Sequence, residues 1–167
     1  LQACAQRVID LVASLPEPAT GEWPVDEHHE LARQAAASGT VLLTNDGTLP
    51  LSTDAEIALI GAFADEPRYQ GNGSSRVNPT RVSTAREELE ARGVEFGYAA
   101  GYDPLLSEPD DQMIAEAVEV AQQADVAVVM VGLPGSFETE GIDRDDMRLP
   151  NQHNDLVEAV CEANPQT

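Results

Sequence analysis

Basic residues are few in this chain. Nine Lys and Arg stand against thirty Asp and Glu in 167 residues, which leaves a net charge of -21. Such a surface repels phosphate backbones and anionic lipid, so no nucleic acid and no membrane is expected as a partner. Long apolar runs are missing too, and nothing reads as a bilayer span. The first residues lack the basic stretch and apolar core of a secretory leader, and a cytoplasmic location is expected. Cysteine is scarce: Cys4 and Cys161 lie far apart, with no CxxC or Cys/His neighbour. That excludes a zinc site or disulfide framework and leaves small buried or half-exposed thiols in a reducing compartment. His28 and His29 are adjacent and His153 stands alone, so no metal-ligand spacing arises. No metal and no cofactor is expected. The chain also has no internal repeat and no low-complexity tract.

What is present suits one folded domain. Apolar residues make up 42% of the chain, an ordinary share for a protein with a core. The acidic excess reads as a solvated, solubilising surface.

Val8, Ile9, Leu11 and Val12 predict a helix over residues 1–15. Pro16 to Pro18 ends it, and the segment to Pro24 reads as linker. A second helix is expected from Asp26, as N-cap, to about Ser38, with Gly39 just past its end. Val41-Leu42-Leu43 predicts a short strand and Asn45-Asp46-Gly47 a turn. Ile57 to Ile60 is continuously apolar, the mark of a strand buried on both faces. A long polar loop follows over 65–79. Thr84 and Glu87 form a capping box for a helix that stops near Gly93. Residues 94–99 predict a strand, and Ile114, Ala117, Val118 and Ala121 a helix over 110–124. Residues 126–131 are the strongest strand. A loop rich in glycine and acids spans 132–148, and Leu156, Val157 and Val160 share one face of a last helix. Alternating helices and apolar strands predict an α/β fold, a three-layer α/β/α sandwich with a mostly parallel sheet.

In such sheets ligands bind beyond the carboxyl ends of the strands. Two loops leave such ends and are longer than a simple connection needs. The first contains Gly71-Asn72-Gly73-Ser74-Ser75-Arg76. It lacks a third glycine, does not abut its strand and opens no helix directly. It reads as a glycine-permitted turn rather than a nucleotide site. The second crowds Glu138, Glu140, Asp143, Asp145 and Asp146 together, with Arg144 and Arg148 between them. Like charges held together raise at least one carboxyl pKa, as a general acid needs near neutrality. The plain alternative is a solvated acidic loop, and the residues alone favour it.

Several stretches, in order, resemble one family. Leu31-Ala32-Arg33, then Ser38 to Asn45 and Leu49-Pro50-Leu51, resemble the opening of the second domain of family 3 glycoside hydrolases. Gly71 to Ser75 after the Ile57 strand resembles its Gly-x-Gly-Ser loop. Ala124-Asp125-Val126 with Val131-Gly132-Leu133 resembles its central strand. Glu138-Thr139-Glu140-Gly141-Ile142-Asp143-Arg144, then Leu149-Pro150 and Leu156-Val157, resembles the segment that carries the acid/base.

The resemblance implies that residues 1–25 end a preceding barrel domain and its linker. Residues 26–167 would be the C-terminal sandwich domain, cut short where a further strand is expected after Thr167. It implies a retaining, exo-acting β-glycosidase, with β-glucosidase the commonest activity and xylosidase and N-acetylglucosaminidase also found. The Glu-x-Glu-Gly-x-Asp-Arg stretch favours a β-glucosidase. The partners implied are a β-glucoside or related oligosaccharide and the missing N-terminal barrel of the same protein, which would hold an aspartate nucleophile. By resemblance the acid/base is Glu140, with Glu138 as runner-up. Asp143 and Arg144 would brace the loop, and Ser74 and Ser75 would line the sugar pocket. The fragment alone would hydrolyse nothing. The competing reading is a non-catalytic, flavodoxin-like binding or regulatory domain.

Overall fold

The structure, a computed structural model, describes residues 1–17, 20–106 and 108–167. The chain divides into two compact units, Leu1–Val41 and Leu42–Thr167. The first holds helices α1 (Gln2–Ser14) and α2 (Val25–Gly39). The apolar stripe of α1 is exposed, with Val8, Ile9, Leu11 and Val12 all about 60% accessible. Helix α2 begins at Val25, one residue before Asp26, so Asp26 lies in the first turn rather than at the N-cap. There it complements the positive end of the helix dipole. Gly39 is the last helical residue, not the one beyond it.

The second unit is built on three parallel strands, β1 (Ile57–Ile60), β2 (Phe96–Ala99) and β3 (Val126–Val129), in the order β2-β1-β3. Ile57 sits opposite Phe96 on one side and Val126 on the other. The central place of β1 follows from its composition, since a strand flanked on both edges and covered on both faces has no polar position to fill. Ala58 and Ile60 join the core cluster with Ala117, Ala121, Leu156 and Val160. Ile57 and Leu59, on the opposite face, are buried as well. The sheet is thus covered on both sides, and the fold is an α/β/α sandwich with a parallel sheet.

Helices α3 (Ala85–Ala91) and α4 (Asp111–Gln122) begin where their side-chain caps place them, and α5 (Asn151–Ala163) follows Pro150 without one. Thr84 accepts from the Glu87 N–H at 3.0 Å, and Asp110 accepts from the Gln112 and Met113 N–H groups. Gly93 ends the α3 segment at φ +69, as the helix stop requires. Helix α4 packs on α5 and on β1 and β2. It comes so close that Val120 fills the space a Cβ at Gly97 would take. Glycine is also obligatory at Gly61, with φ +121 and the Met130 carbonyl against its Cα. This is the point where β1 ends and the first long loop departs.

Two expectations fail. Val41-Leu42-Leu43 forms no strand, and all three residues are exposed. A short apolar run becomes a strand only when a neighbour supplies the ladder. Cys4 and Cys161 are both exposed rather than buried. At the far end, the Gln166 carbonyl accepts from Ala127 N–H at 2.9 Å, so the last residues run beside β3.

Candidate active site

Because β1 and β3 are adjacent and parallel, the loops leaving their carboxyl ends stand side by side. The loop after β1 reaches across to the loop after β3 through three side chains, Arg68, Asn72 and Ser74. Arg68 Nη1 donates to the Leu133 carbonyl at 2.6 Å and to Glu138 Oε2 at 3.2 Å, while Nη2 donates to the Glu138 carbonyl at 3.2 Å. Asn72 Nδ2 donates to the Gly135 carbonyl at 2.7 Å, in a contact so close that no Cβ fits at Gly135. Ser74 donates twice to Glu140, from its backbone N–H to Oε2 at 2.9 Å and from Oγ to Oε1.

Glu140 lies at the tip of a tight turn in which Ile142 N–H meets the Thr139 carbonyl and Gly141 takes φ +80. That conformation is one glycine adopts freely. Gly73 lets the first loop approach. Its φ is +79, and a Cβ there would lie 2.6 Å from Glu140 Oε2. The glycines of both loops therefore serve the meeting of Ser74 with Glu140. The first loop continues into a three-residue 3-10 turn, Gly73–Ser75, with no long helix behind it. The dinucleotide fingerprint has no structural counterpart, in agreement with the sequence.

Glu140 is exposed and carries no cationic partner among the described residues. The Ser74 hydroxyl, and then the Ser74 N–H, hold its carboxyl below the ordinary range. The expected rise from crowding is therefore not found at Glu140. The acids of this loop face water, which screens their repulsion, and two donors favour the anion. Glu138 is anchored by Arg68, though its side chain is 61% accessible. Arg144 donates to the Arg148 carbonyl at 3.0 Å, closing its own stretch of loop rather than pairing with Asp143. Ser75 Oγ turns back to the Asn72 carbonyl at 3.2 Å. A groove of about 510 Å³ runs along the junction, lined by Arg68, Tyr69, Gln70, Asn72, Glu138 and Glu140 among others.

Sequence reasoning gave no role to Arg68, Asn72 or His153, because their partners lie far away in the chain. The lone histidine is no ligand. Its ring is fully buried against Tyr102, with centroids 4.2 Å apart, and Nδ1 accepts from Gly132 N–H at 3.4 Å. Burial lowers its pKa. The neutral ring thereby fixes the start of the second loop. Among the described residues no cluster of His, Cys, Asp and Glu is arranged to hold a metal, and no helix is long and apolar enough to cross a membrane.

Residues 40–167 match the glycosyl hydrolase family 3 C-terminal domain, and the chain belongs to that family. It is 48% identical over 145 residues to the thermostable β-glucosidase B of Acetivibrio thermocellus, covering 84% of this chain and 19% of that protein. It is 38% identical to the exo-α-(1→6)-L-arabinopyranosidase of Bifidobacterium longum, covering 98% of this chain and 23% of that one. The family 3 β-glucosidase structure from Bifidobacterium adolescentis superposes with a TM-score of 0.87 at 40% identity, over 97% of this chain and 24% of that one. The chain thus spans about a fifth of the length of the relatives it matches.

Proposed function

We propose that this chain is the part of a retaining, exo-acting β-glycosidase that supplies the acid/base carboxyl, and that Glu140 is that group. Residues 1–25 are then the end of the preceding barrel domain and its linker, and 26–167 its sandwich domain. The partners are that barrel and a terminal β-linked sugar, a β-glucoside foremost. The two exposed, unpaired cysteines fit the reducing cytoplasm. The observation that carries the reading is the grip of Ser74 on Glu140, which orients an exposed carboxyl at a loop tip without neutralising it. Glu138 is tied to Arg68 instead, and this supports Glu140 over its runner-up.

Retention needs two carboxyl groups roughly 5–5.5 Å apart across the glycosidic bond. In the first step a barrel carboxylate bonds to the anomeric carbon, the bond to the leaving oxygen breaks, and that oxygen takes the proton from Glu140. In the second step the Glu140 carboxylate takes a proton from water, whose oxygen bonds to the anomeric carbon as the barrel carboxylate departs. Ser74 steadies the same carboxyl in both steps, and Ser74 and Ser75 would line the sugar pocket. The domain by itself hydrolyses nothing, because the attacking carboxylate is not part of it.

The test is Glu140→Gln in the full-length enzyme. The kcat/KM for an alkyl β-glucoside falls by about 10²–10⁴, and that for a 2,4-dinitrophenyl β-glucoside falls far less in the first step, since such a leaving group needs no proton. Glu138→Gln loses only an exposed ion pair and slows both by about threefold or less. The reverse ranking of the two variants would assign the role to Glu138, and equal loss on both substrates would refute an acid at Glu140.

A further inference from the structure

We propose that Arg68 is a positioning residue for the acid/base, acting through the backbone of the loop that carries Glu140; this rests on the role given to Glu140 above. Between the end of β3 and the Thr139–Ile142 turn, the loop makes one internal backbone hydrogen bond among those described, Phe137 N–H to the Pro134 carbonyl. Its remaining support comes from outside. The guanidinium of Arg68 takes the Leu133 and Glu138 carbonyls, one at each end of the stretch, and Asn72 takes the Gly135 carbonyl between them. Arg68 is 17% accessible, so its bonds are partly shielded, while Glu138 itself stays 61% accessible.

A planar fork with fixed donor spacing suits this task. Two carbonyls held by one rigid group cannot move apart, and Glu140 follows two residues beyond the second. The effect is geometric rather than electrostatic. The groups that depress the Glu140 carboxyl are the Ser74 hydroxyl and N–H, and Arg68 is not among them. Removal of Arg68 therefore costs aim, not acidity.

The test compares Arg68→Met, Arg68→Lys and Glu140→Gln in the full-length enzyme with aryl β-glucosides of graded leaving-group acidity. Arg68→Met lowers kcat/KM for phenyl β-glucoside about tenfold or more, because misaligned proton transfer forfeits part of the 10²–10⁴ a general acid supplies. The 2,4-dinitrophenyl glucoside loses about threefold or less, and the acid and base limbs of the pH profile stay in place. Arg68→Lys, which reaches one acceptor at a time, falls between. If Arg68→Met loses its native circular dichroism, the lysine variant carries the test. An equal loss on every leaving group, or none, overturns the inference when Glu140→Gln still discriminates between leaving groups. If Glu140→Gln does not discriminate, the role of Glu140 is overturned and this inference with it.

Discussion

Replacing Gly73 with alanine sets a methyl group against the carboxyl on which the proposed chemistry depends. The backbone there has φ +79, and the new Cβ would stand 2.6 Å from Glu140 Oε2, 2.9 Å from its Cδ and 2.9 Å from its Cγ. An ordinary contact begins at 3.4 Å, so the closest pair is 0.8 Å too short. The left-handed conformation costs about 1–2 kcal/mol for any side-chain-bearing residue. The turn absorbs that cost as a modest fall in stability. Glu140 sits at an exposed tip and gives way, losing its place relative to Ser74. A displacement near 1 Å costs catalysis on the order of 10²-fold, or about 2.7 kcal/mol of activation energy. In the full-length enzyme, Gly73→Ala then lowers kcat/KM for an alkyl β-glucoside by about 30- to 100-fold and for a dinitrophenyl β-glucoside by much less. Retention of the alkyl activity within about threefold would refute the argument that the glycine exists for the approach to Glu140.

Ser74→Ala removes the largest influence that lowers the Glu140 carboxyl. The acid then stays protonated to higher pH, and the alkaline limb of kcat/KM moves upward while the maximum rate falls; a limb that stays put or moves down contradicts the assignment. Tyr102→Phe deletes a buried hydroxyl that donates to the Met130 carbonyl at 2.8 Å and accepts from Phe63 N–H at 3.2 Å. It costs about 1–3 kcal/mol in thermal or denaturant unfolding, since both backbone groups lose their partner. Burial pushes the wild-type phenol up to about 12 from 10.0, so its share of stability is whole below pH 10 and is lost as pH rises through the folded value, a loss Tyr102→Phe does not show. Burial lowers the His153 pKa below 6.5, so its contribution is present above that pH and is lost as pH falls toward the folded value; unfolding scans of His153→Gln should lack this acid-side loss.

Much of this arrangement was legible in the residues. Ile57 to Ile60 declared a buried central strand by having no polar position, Thr84 with Glu87 declared a helix start, and the apolar spacing from Ile114 to Ala121 declared another helix. Local rules failed where a partner decides the outcome. Val41 to Leu43 have strand propensity but no adjacent strand. The site was legible as two overlong loops, yet not as a lock between them. The bond from Ser74 to Glu140 spans 66 positions, and only the parallel register of β1 with β3 brings those loops together. The expectation of a raised carboxyl pKa failed for a related reason. Crowding in sequence says nothing of exposure, and at Glu140 the Ser74 hydroxyl and N–H outweigh the cost of desolvation.

That lowered pKa bears directly on how a two-domain site divides its labour. A group that must first give a proton and later take one needs its anion neither too stable nor too costly. Ser74 supplies the stabilising half, since two donors aimed at two carboxylate oxygens fit the base. On the proposed role, the opposing half would be a negative charge that this domain does not place beside Glu140. A carboxylate about 5.5 Å away across the glycosidic bond would disfavour the Glu140 anion and so oppose the Ser74 donors. In the proposed reaction the first step would consume the nucleophile's charge in a glycosyl ester, the repulsion would vanish and Ser74 would again favour the anion. The same carboxyl would then pass from acid to base without moving, so the proposal asks accurate aim of this domain, and the clamps of Arg68, Asn72 and Ser74 are suited to give it.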